Sequence, residues 1–131
     1  VVFHKGFFNR TLPAFHRSFP QHYDDASIAV LRIDGNFWLS YHNALYYMWD
    51  FVPTGGIIIF DDIPVDTSAK SMSRAWTDFK SAHNLSEELV EIDWGSSYLT
   101  KRSEIKVNWY AYSEAMQRNS RSVDLKRVDK S

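Results

Sequence analysis

Three aspartates stand where apolar stretches of the sequence end, and their spacing could support metal chemistry. Asp34 follows the apolar stretch 28–33, and Asp61 and Asp62 follow the stretch 57–60. If these stretches are neighbouring parallel strands, their carboxyl ends share one edge of a sheet, where open α/β folds bind ligands. Carboxylates held together repel one another unless a positive charge neutralises them. Mg²⁺ prefers such oxygen ligands and can lower the pKa of a bound substrate hydroxyl.

The strands that would position these aspartates alternate with helices along the chain. Strands are predicted at 1–5, 28–34 and 57–60, and the last is apolar throughout, which is typical of a strand buried on both faces in a parallel sheet. Residues 89–93 and 98–100 flank a Gly95-Ser96 turn and predict a closing hairpin. The expected class is α/β, with parallel strands, flanking helices and a C-terminal antiparallel hairpin.

Helices are predicted between these strands. A brief helix at 7–15 is interrupted by Pro13 and followed by a loop over 16–26. Ser40 is the expected N-cap of a second helix, and Asp66, Thr67 or Ser68 of a third. The stripe expected to be buried is Tyr41, Ala44, Leu45, Met48 and Phe51 in the second helix, and Ala69, Met72, Ala75, Trp76 and Phe79 in the third.

Composition excludes several functional classes. The formal net charge is -1, which gives no indication of a nucleic-acid-binding surface. The absence of cysteine excludes disulfides, thiolate metal sites and a cysteine nucleophile. The sequence predicts neither a membrane span nor a signal segment, so we expect a cytoplasmic location. Because the first residue is Val1 rather than Met, we also expect the chain to be cut from a longer protein.

Short motifs follow one another along residues 2–101 in an order that is specific, although each motif alone is weak. They are FHKGFF at 3–8, TLP at 11–13, IAVLRIDG at 28–35, Ser40, the glycine pair 55–56, the aspartate pair 61–62, then Ala75, Asp78, Phe79, His83 and the Ile-Asp pair 92–93. In this succession the chain resembles the C-terminal portion of the macrocin O-methyltransferase family, which are class I methyltransferases.

The resemblance implies a partial Rossmann-like methyltransferase domain over residues 1–102, followed by a polar and partly disordered extension over 103–131. The activity implied is transfer of a methyl group from S-adenosylmethionine to a hydroxyl, often on a sugar of a natural product. The family's metal-binding aspartates, with Mg²⁺ as the ion, fall at Asp34, Asp61 and Asp62. Its backbone contacts with the adenine fall at Gly6 and Phe7. The implied partner is a small hydroxyl-bearing substrate, and neither nucleic acid nor membrane is expected.

The sequence departs from the family at several positions. Asn36 stands where a second acid is usual, and it offers an oxygen without the charge. Trp38 stands where tyrosine is common, and the lysine base of related metal-dependent enzymes has no counterpart nearby, so the catalytic residue is unknown. His42 is close in sequence, but on a helix we expect it to pack or face solvent. The Gly-rich turn and the ribose-binding acid cannot be placed, so the chain is expected to start at the third strand.

Two other functions remain open at this stage. Asp34, Gly35 and Asn36 could act as a loose Asp-x-Asp-like metal motif in a glycosyltransferase, which predicts nucleotide-sugar binding and no response to S-adenosylmethionine. Alternatively, the chain could be a non-catalytic binding or assembly module. Missing cofactor strands would leave part of the sheet uncovered, which favours homodimerisation.

Overall fold

The computed structural model describes residues 1–22 and 27–128, without the side chains at 20–22, 69 and 122–128. The elements, in chain order, are α1 (Phe8–His22), β1 (Val30–Ile33), α2 (Trp38–Met48), β2 (Ile57–Phe60), α3 (Arg74–Ala82), β3 (Val90–Asp93), β4 (Ser96–Thr100) and α4 (Trp109–Val128). Single turns of 3₁₀ helix lie at Trp49–Phe51, Thr67–Ala69 and Ser71–Ser73. The described strands form a sheet in the order β1-β2-β4-β3. The predicted α/β class is confirmed.

The register of β1 against β2 places the two strand ends side by side. The strands are parallel, with Ile33 opposite Phe60. The backbone N–H of Asp61 donates to the carbonyl of Ile33 over 3.1 Å, which continues the pairing by one step. Because neighbouring strands lie about 4.8 Å apart, the next residues of both strands, Asp34 and Asp61, meet at the carboxyl edge.

Burial of β2 differs between its two faces. Ile58 and Phe60 are fully buried, whereas Ile57 and Ile59 are half-buried. The strand is parallel to β1 on one side and antiparallel to β4 on the other, where Ile58 pairs with Leu99. The prediction of a strand buried on both faces in a parallel sheet is therefore wrong in part: β2 lies in the middle of a mixed sheet, and only one face is closed.

The strand predicted at residues 1–5 does not form. These residues have no regular secondary structure, and their side chains are exposed. Within the described part of the chain, no strand pairs with them. An apolar, β-branched stretch becomes a strand only when a neighbour accepts its backbone hydrogen bonds.

Helix α1 is longer than predicted, because it continues through Pro13 to His22. The loop predicted from residue 16 is therefore wrong as far as His22, and its residues 23–26 lie outside the described ones. Proline removes one backbone hydrogen bond from the helix interior, and aromatic packing offsets that loss. The ring of Phe19 lies 4.5 Å from that of Phe51 and 5.2 Å from that of Phe15, measured between centroids.

Helix α2 is the centre of the core. Its predicted stripe from Tyr41 to Met48 is buried, and every residue from 41 to 46 is buried as well. The helix begins at Trp38 with Phe37 as N-cap, so the prediction that Ser40 is the cap is wrong, and Ser40 lies in the first turn. The predicted burial of Ala75, Trp76 and Phe79 in α3 is confirmed, while the side chain of Ala69 lies outside the description.

Hydrogen bonds fix the turn that precedes β2. Gly55 has a φ of 92°, a left-handed conformation that favours glycine, and its N–H donates to the carbonyl of Lys101 over 2.7 Å. The ammonium group of Lys101 is buried and donates to the carbonyls of Trp49 and Val52 over 2.8 and 2.7 Å. The end of the 3₁₀ turn after α2 is therefore tied to the end of β4.

The extension over 103–131, which the sequence predicts to be partly disordered, contains a long helix. Helix α4 covers Trp109–Val128 and packs on the core through Ala111 and Ala115, which are buried, while residues 129–131 lie outside the description. Its apolar face consists mostly of small residues and aromatics, so it gives a weak hydrophobic period. Among the described residues, no helix combines the length and the apolar character that crossing a membrane requires.

Candidate functional site

The carboxyl edge of β1 and β2 brings two of the predicted aspartates to one arginine. The Nε atom of Arg32 donates to Oδ2 of Asp61 over 2.9 Å, and its Nη2 atom donates to the same oxygen. Nη2 also lies 3.9 Å from Oδ2 of Asp34. Arg32 and Asp34 are two residues apart on one strand and so point to the same face. One guanidinium therefore lies against both carboxylates.

The pKa values of these groups follow from the arrangement. The hydrogen bond from Arg32 lowers the pKa of Asp61, and its charge adds to that effect. The negative charge of Asp61 is the main reason why the pKa of Asp34 is raised. Asp61 thus carries the more stable negative charge, and Asp34 is the carboxylate that protonates first as the pH falls.

Asp62 is hydrogen-bonded to a tyrosine of α2. The hydroxyl of Tyr41 accepts a hydrogen bond from the backbone N–H of Asp62 over 3.1 Å and donates to its Oδ2 over 3.4 Å. Tyr41 is fully buried, and burial raises the pKa of its hydroxyl to about 12. The side chain therefore remains a neutral phenol that fixes the backbone and carboxylate of Asp62.

These contacts change the metal ligands expected from the sequence. Among the described residues, no three aspartate, glutamate or histidine side chains are grouped so that they could hold an ion. Arg32 forms an ion pair with Asp61, and Tyr41 hydrogen-bonds to Asp62. The structure therefore shows Asp34 and Asp61 against one guanidinium and Asp62 against Tyr41, rather than three carboxylates grouped around an ion.

The predicted adenine contacts lie in the loop before α1. Gly6 has a φ of 139°, and a Cβ atom at this position would lie 3.0 Å from Cγ2 of Thr11. Phe7 is 81% exposed. Both residues line an open cavity of about 480 Å³ together with Arg10 and Thr11. The backbone at Gly6 is therefore bare, and an exposed aromatic ring stands next to it.

A second cavity joins this loop to the start of α2. It measures about 280 Å³ and is lined by Phe7 and Phe8 on one side and by Phe37, Ser40 and Asn43 on the other. Asn43 is almost fully buried, and its Oδ1 atom accepts a hydrogen bond of 2.7 Å from the hydroxyl of Tyr112 in α4. Phe7 of the loop and the start of α2 thus line one concave surface, which adjoins the cavity at Gly6 through Phe7 and Arg10.

His42 packs inside the protein, as expected of a helix residue without a catalytic role. Its ring stacks between Trp38 and Tyr112, with centroid distances of 4.4 and 4.7 Å and interplanar angles of 15°. Burial lowers its pKa to about 4. Its Nε2 atom is buried and has no hydrogen-bond partner in the described part of the chain. The ring is therefore neutral near pH 7 and is held by its aromatic neighbours.

Sequence comparison identifies the family. Residues 1–101 match the family described as macrocin-O-methyltransferase (TylF). The chain belongs to the macrocin O-methyltransferase family. The matched region includes the loop at Gly6 and Phe7 and the edge with Asp34 and Asp61, and it ends before α4. No curated protein sequence matches the chain significantly.

A solved structure of an O-methyltransferase has a similar fold. The structural match to the O-methyltransferase NovP covers 75% of this chain, with 26% sequence identity and a TM-score of 0.59. The similar region covers 36% of NovP, so the chain spans about a third of that protein. The family and this similarity agree on a partial methyltransferase fold, as the sequence motifs predicted, and they set the glycosyltransferase reading aside.

Two residues of the site were missed in the sequence. Arg32 is the one charged residue within β1, and its spacing of two from Asp34 places it on the same face of the strand. That spacing could have revealed the guanidinium as the group that neutralises the aspartates. The sequence correctly predicts Tyr41 in the buried stripe of α2, but its hydrogen bonds to Asp62 depend on how α2 packs against the sheet.

Proposed function

We propose that the chain is the acceptor-side part of an enzyme that moves a methyl group from S-adenosylmethionine to a hydroxyl of a sugar or a related natural product. Membership of the macrocin O-methyltransferase family supports the reaction class. The observation that carries the proposal is the register of β1 and β2, which brings Asp34 and Asp61 together at the sheet edge where ligands bind in this class of fold.

The loop at Gly6 and Phe7 fits the adenine end of this cofactor. A side chain at Gly6 would meet Thr11, so the bare backbone is available to a flat ring that approaches closely. The exposed ring of Phe7 provides an apolar surface for stacking. Bound S-adenosylmethionine supplies the electrophilic methyl group, and these residues would hold its adenine.

Metal assistance is the second part of the proposal. The pair Asp34 and Asp61 fits a divalent cation in the chemistry of its ligands, since both are carboxylates, and such an ion would have to displace Arg32, which contacts both. A bound Mg²⁺ would lower the pKa of an acceptor hydroxyl. The role of this chain's residues is to hold negative charge at the edge: Arg32 fixes Asp61, and Tyr41 fixes the position of Asp62.

Calorimetric titration with S-adenosylhomocysteine tests the cofactor part. The purified chain is expected to bind it with saturation, and Gly6→Val is expected to weaken binding at least about tenfold, which corresponds to about 1.4 kcal/mol. Gly95→Ala is the matched control, because a Cβ at Gly95 meets nothing closer than 3.9 Å. Equal loss in both variants would contradict the assigned adenine contact at Gly6, and no binding to the parent chain would contradict a cofactor site within this chain.

A further inference from the structure

A cleft between α2, α3 and the extension helix α4 has no role in the site described above. It measures about 260 Å³ and is lined by Trp38, Arg74, Asp78, Ala115, Arg118 and Asn119. Trp38 and Arg74 are the first residues of α2 and α3, the helices that follow β1 and β2. Helices that follow parallel strands begin near the carboxyl ends of those strands. This end of the cleft therefore lies towards the same edge of the sheet as Asp34 and Asp61.

The cleft carries an excess of positive charge. Within the described part of the chain, neither Arg74 nor Arg118 forms an ion pair with a carboxylate. Asp78 is the acidic residue of the lining, so two guanidinium groups face one carboxylate. The N-terminal ends of α2 and α3 add partial positive charge. Guanidinium groups bind the oxygens of phosphate, sulfate and carboxylate with paired hydrogen bonds.

The charge changes sign along α4. An adjoining cleft of about 370 Å³ shares Asp78, Ala115 and Arg118 with the first, and it is also lined by Glu114 and Tyr46. Glu114 lies about one helical turn before Arg118. The positive end therefore lies beside the first turns of α2 and α3, and the acidic end lies farther along α3. An anion is attracted to the end that is nearer the sheet edge.

The positive end lies within reach of the acidic edge. Trp38 and Tyr41 are three residues apart on α2, so they share one face of the helix and differ by less than one turn of about 5.4 Å. Tyr41 hydrogen-bonds to Asp62 at the end of β2. A molecule bound beside Trp38 would therefore lie within about one helical turn of the residue that contacts Asp62.

We propose that this cleft binds an oxyanion group of the acceptor, with Arg74 and Arg118 as the binding residues and Asn119 as a neutral donor. The assignment to an acceptor rests on the proposed methyl transfer, whereas the binding of an oxyanion does not. Arg118 and Asn119 lie outside the region 1–101 that matches the family. The extension would then give this chain a preference for a hydroxyl compound that carries a phosphate, sulfate or carboxylate.

The first experiment titrates inorganic phosphate into the ¹⁵N-labelled full chain at constant ionic strength and follows amide and arginine Nε–H shifts. Saturable shifts are expected around Arg74 and Arg118. Arg118→Gln is expected to weaken binding about tenfold, or about 1.4 kcal/mol, while the exposed Arg121→Gln on the same helix leaves it unchanged. Asp78→Asn is expected to tighten binding, because it removes the opposing charge.

Three results would each contradict the proposal that this cleft binds an oxyanion. They are shifts scattered over the surface, equal losses of phosphate binding in Arg118→Gln and Arg121→Gln, and unchanged phosphate affinity in Asp78→Asn. Glucose 6-phosphate tests the acceptor assignment. We expect glucose 6-phosphate to bind more tightly than inorganic phosphate. Equal affinity for the two would mean that the cleft binds the anion alone, and would refute its assignment to an acceptor. If the chain binds phosphate but not S-adenosylhomocysteine, the proposed function is refuted and the oxyanion site is not.

Discussion

Arg32 of β1 donates a hydrogen bond of 2.9 Å from its Nε atom to Oδ2 of Asp61, the first residue after β2. This contact joins two neighbouring parallel strands at the edge where the acidic residues meet, and Asp34 lies on the same guanidinium. The positive charge that the aspartates require is thus supplied by the chain itself. A cation that binds there has to compete with Arg32 for Asp61.

Removal of this guanidinium is expected to raise the pKa of both aspartates. Arg32 lowers the pKa of Asp61 through a hydrogen bond and charge, and its charge also opposes the rise at Asp34. In Arg32→Gln, both carboxyls should titrate at higher pH when followed by carboxyl ¹³C shifts. Lys80→Gln is the matched control, because it removes the exposed ion pair of Lys80 with Glu88. Unchanged titration of Asp61 in Arg32→Gln would contradict the assigned contact.

Divalent metal binding is expected to respond in opposite directions to two substitutions at this edge. Asp61→Asn removes one of the two carboxylates and should abolish measurable Mg²⁺ binding, as assayed by calorimetry. Arg32→Gln removes the competing positive charge and should tighten it. Glu91→Gln, which changes an exposed acid of β3, should have no effect. Equal Mg²⁺ binding by the parent chain and Asp61→Asn would refute the proposed metal ligands.

The Tyr41 hydroxyl is expected to stabilise the fold as well as to position Asp62. Tyr41→Phe leaves the backbone N–H of Asp62 without its acceptor and should lower the free energy of unfolding by roughly 1–3 kcal/mol. Urea denaturation measures this loss, and Tyr110→Phe, at a tyrosine that is 73% exposed, provides the control. Equal stability of the Tyr41→Phe variant and the parent would show that the hydrogen bond has no net effect.

Protonation of His42 is expected to lower the stability of the folded protein as the pH falls below the ordinary histidine pKa. Its pKa in the folded protein is about 4, below the ordinary value of 6.5, because burial disfavours the charged ring. The unfolded chain therefore takes up the proton at higher pH than the folded protein does. The contribution of neutral His42 to stability is fully present above pH 6.5 and is lost as the pH falls towards its folded-state pKa of about 4. The loss approaches about 1.4 kcal/mol per pH unit and roughly 3 kcal/mol in total.

Two variants separate this effect from other acid-dependent losses. His42→Phe keeps a flat ring between Trp38 and Tyr112 and should remove most of the stability difference between about pH 7 and about pH 5. His4→Gln changes an exposed histidine and should keep that difference. Urea denaturation at both pH values gives the comparison. The same pH dependence in His42→Phe and the parent chain would contradict burial of a neutral imidazole.

The sequence predicts the part of the fold that repeats with a clear period. The apolar stretch before Asp61, the stripe of α2 and the hairpin around Gly95 follow from hydrophobic spacing and turn residues, and the structure confirms them. The length of α1 does not follow from spacing, because Pro13 predicts a break, and the packing of Phe19 on Phe51 overrides it. Residues 1–5 form no strand, since strand formation depends on a neighbour.

In the candidate site, too, the sequence predicts what depends on strand ends and does not predict what depends on packing. Asp34 and Asp61 could be expected to meet, because strand ends share an edge in a parallel pair. The position of Asp62 could not be expected, since its contact with Tyr41 depends on how α2 packs against β2. The helix within the extension is also not predicted, because the small residues Ala111 and Ala115 of α4 give little hydrophobic signal, although both are buried in the fold.

The most direct test of the proposed function is an amide map of S-adenosylhomocysteine binding to the ¹⁵N-labelled chain. The account predicts saturable shifts confined to the loop at Gly6 and Phe7, the first turn of α1 and the start of α2 from Phe37 to Asn43, because these line two cavities that share Phe7 and Arg10. Shifts that are absent at millimolar ligand, or that fall on β3 and the far end of α4 instead, would contradict the assignment of a cofactor site to this chain.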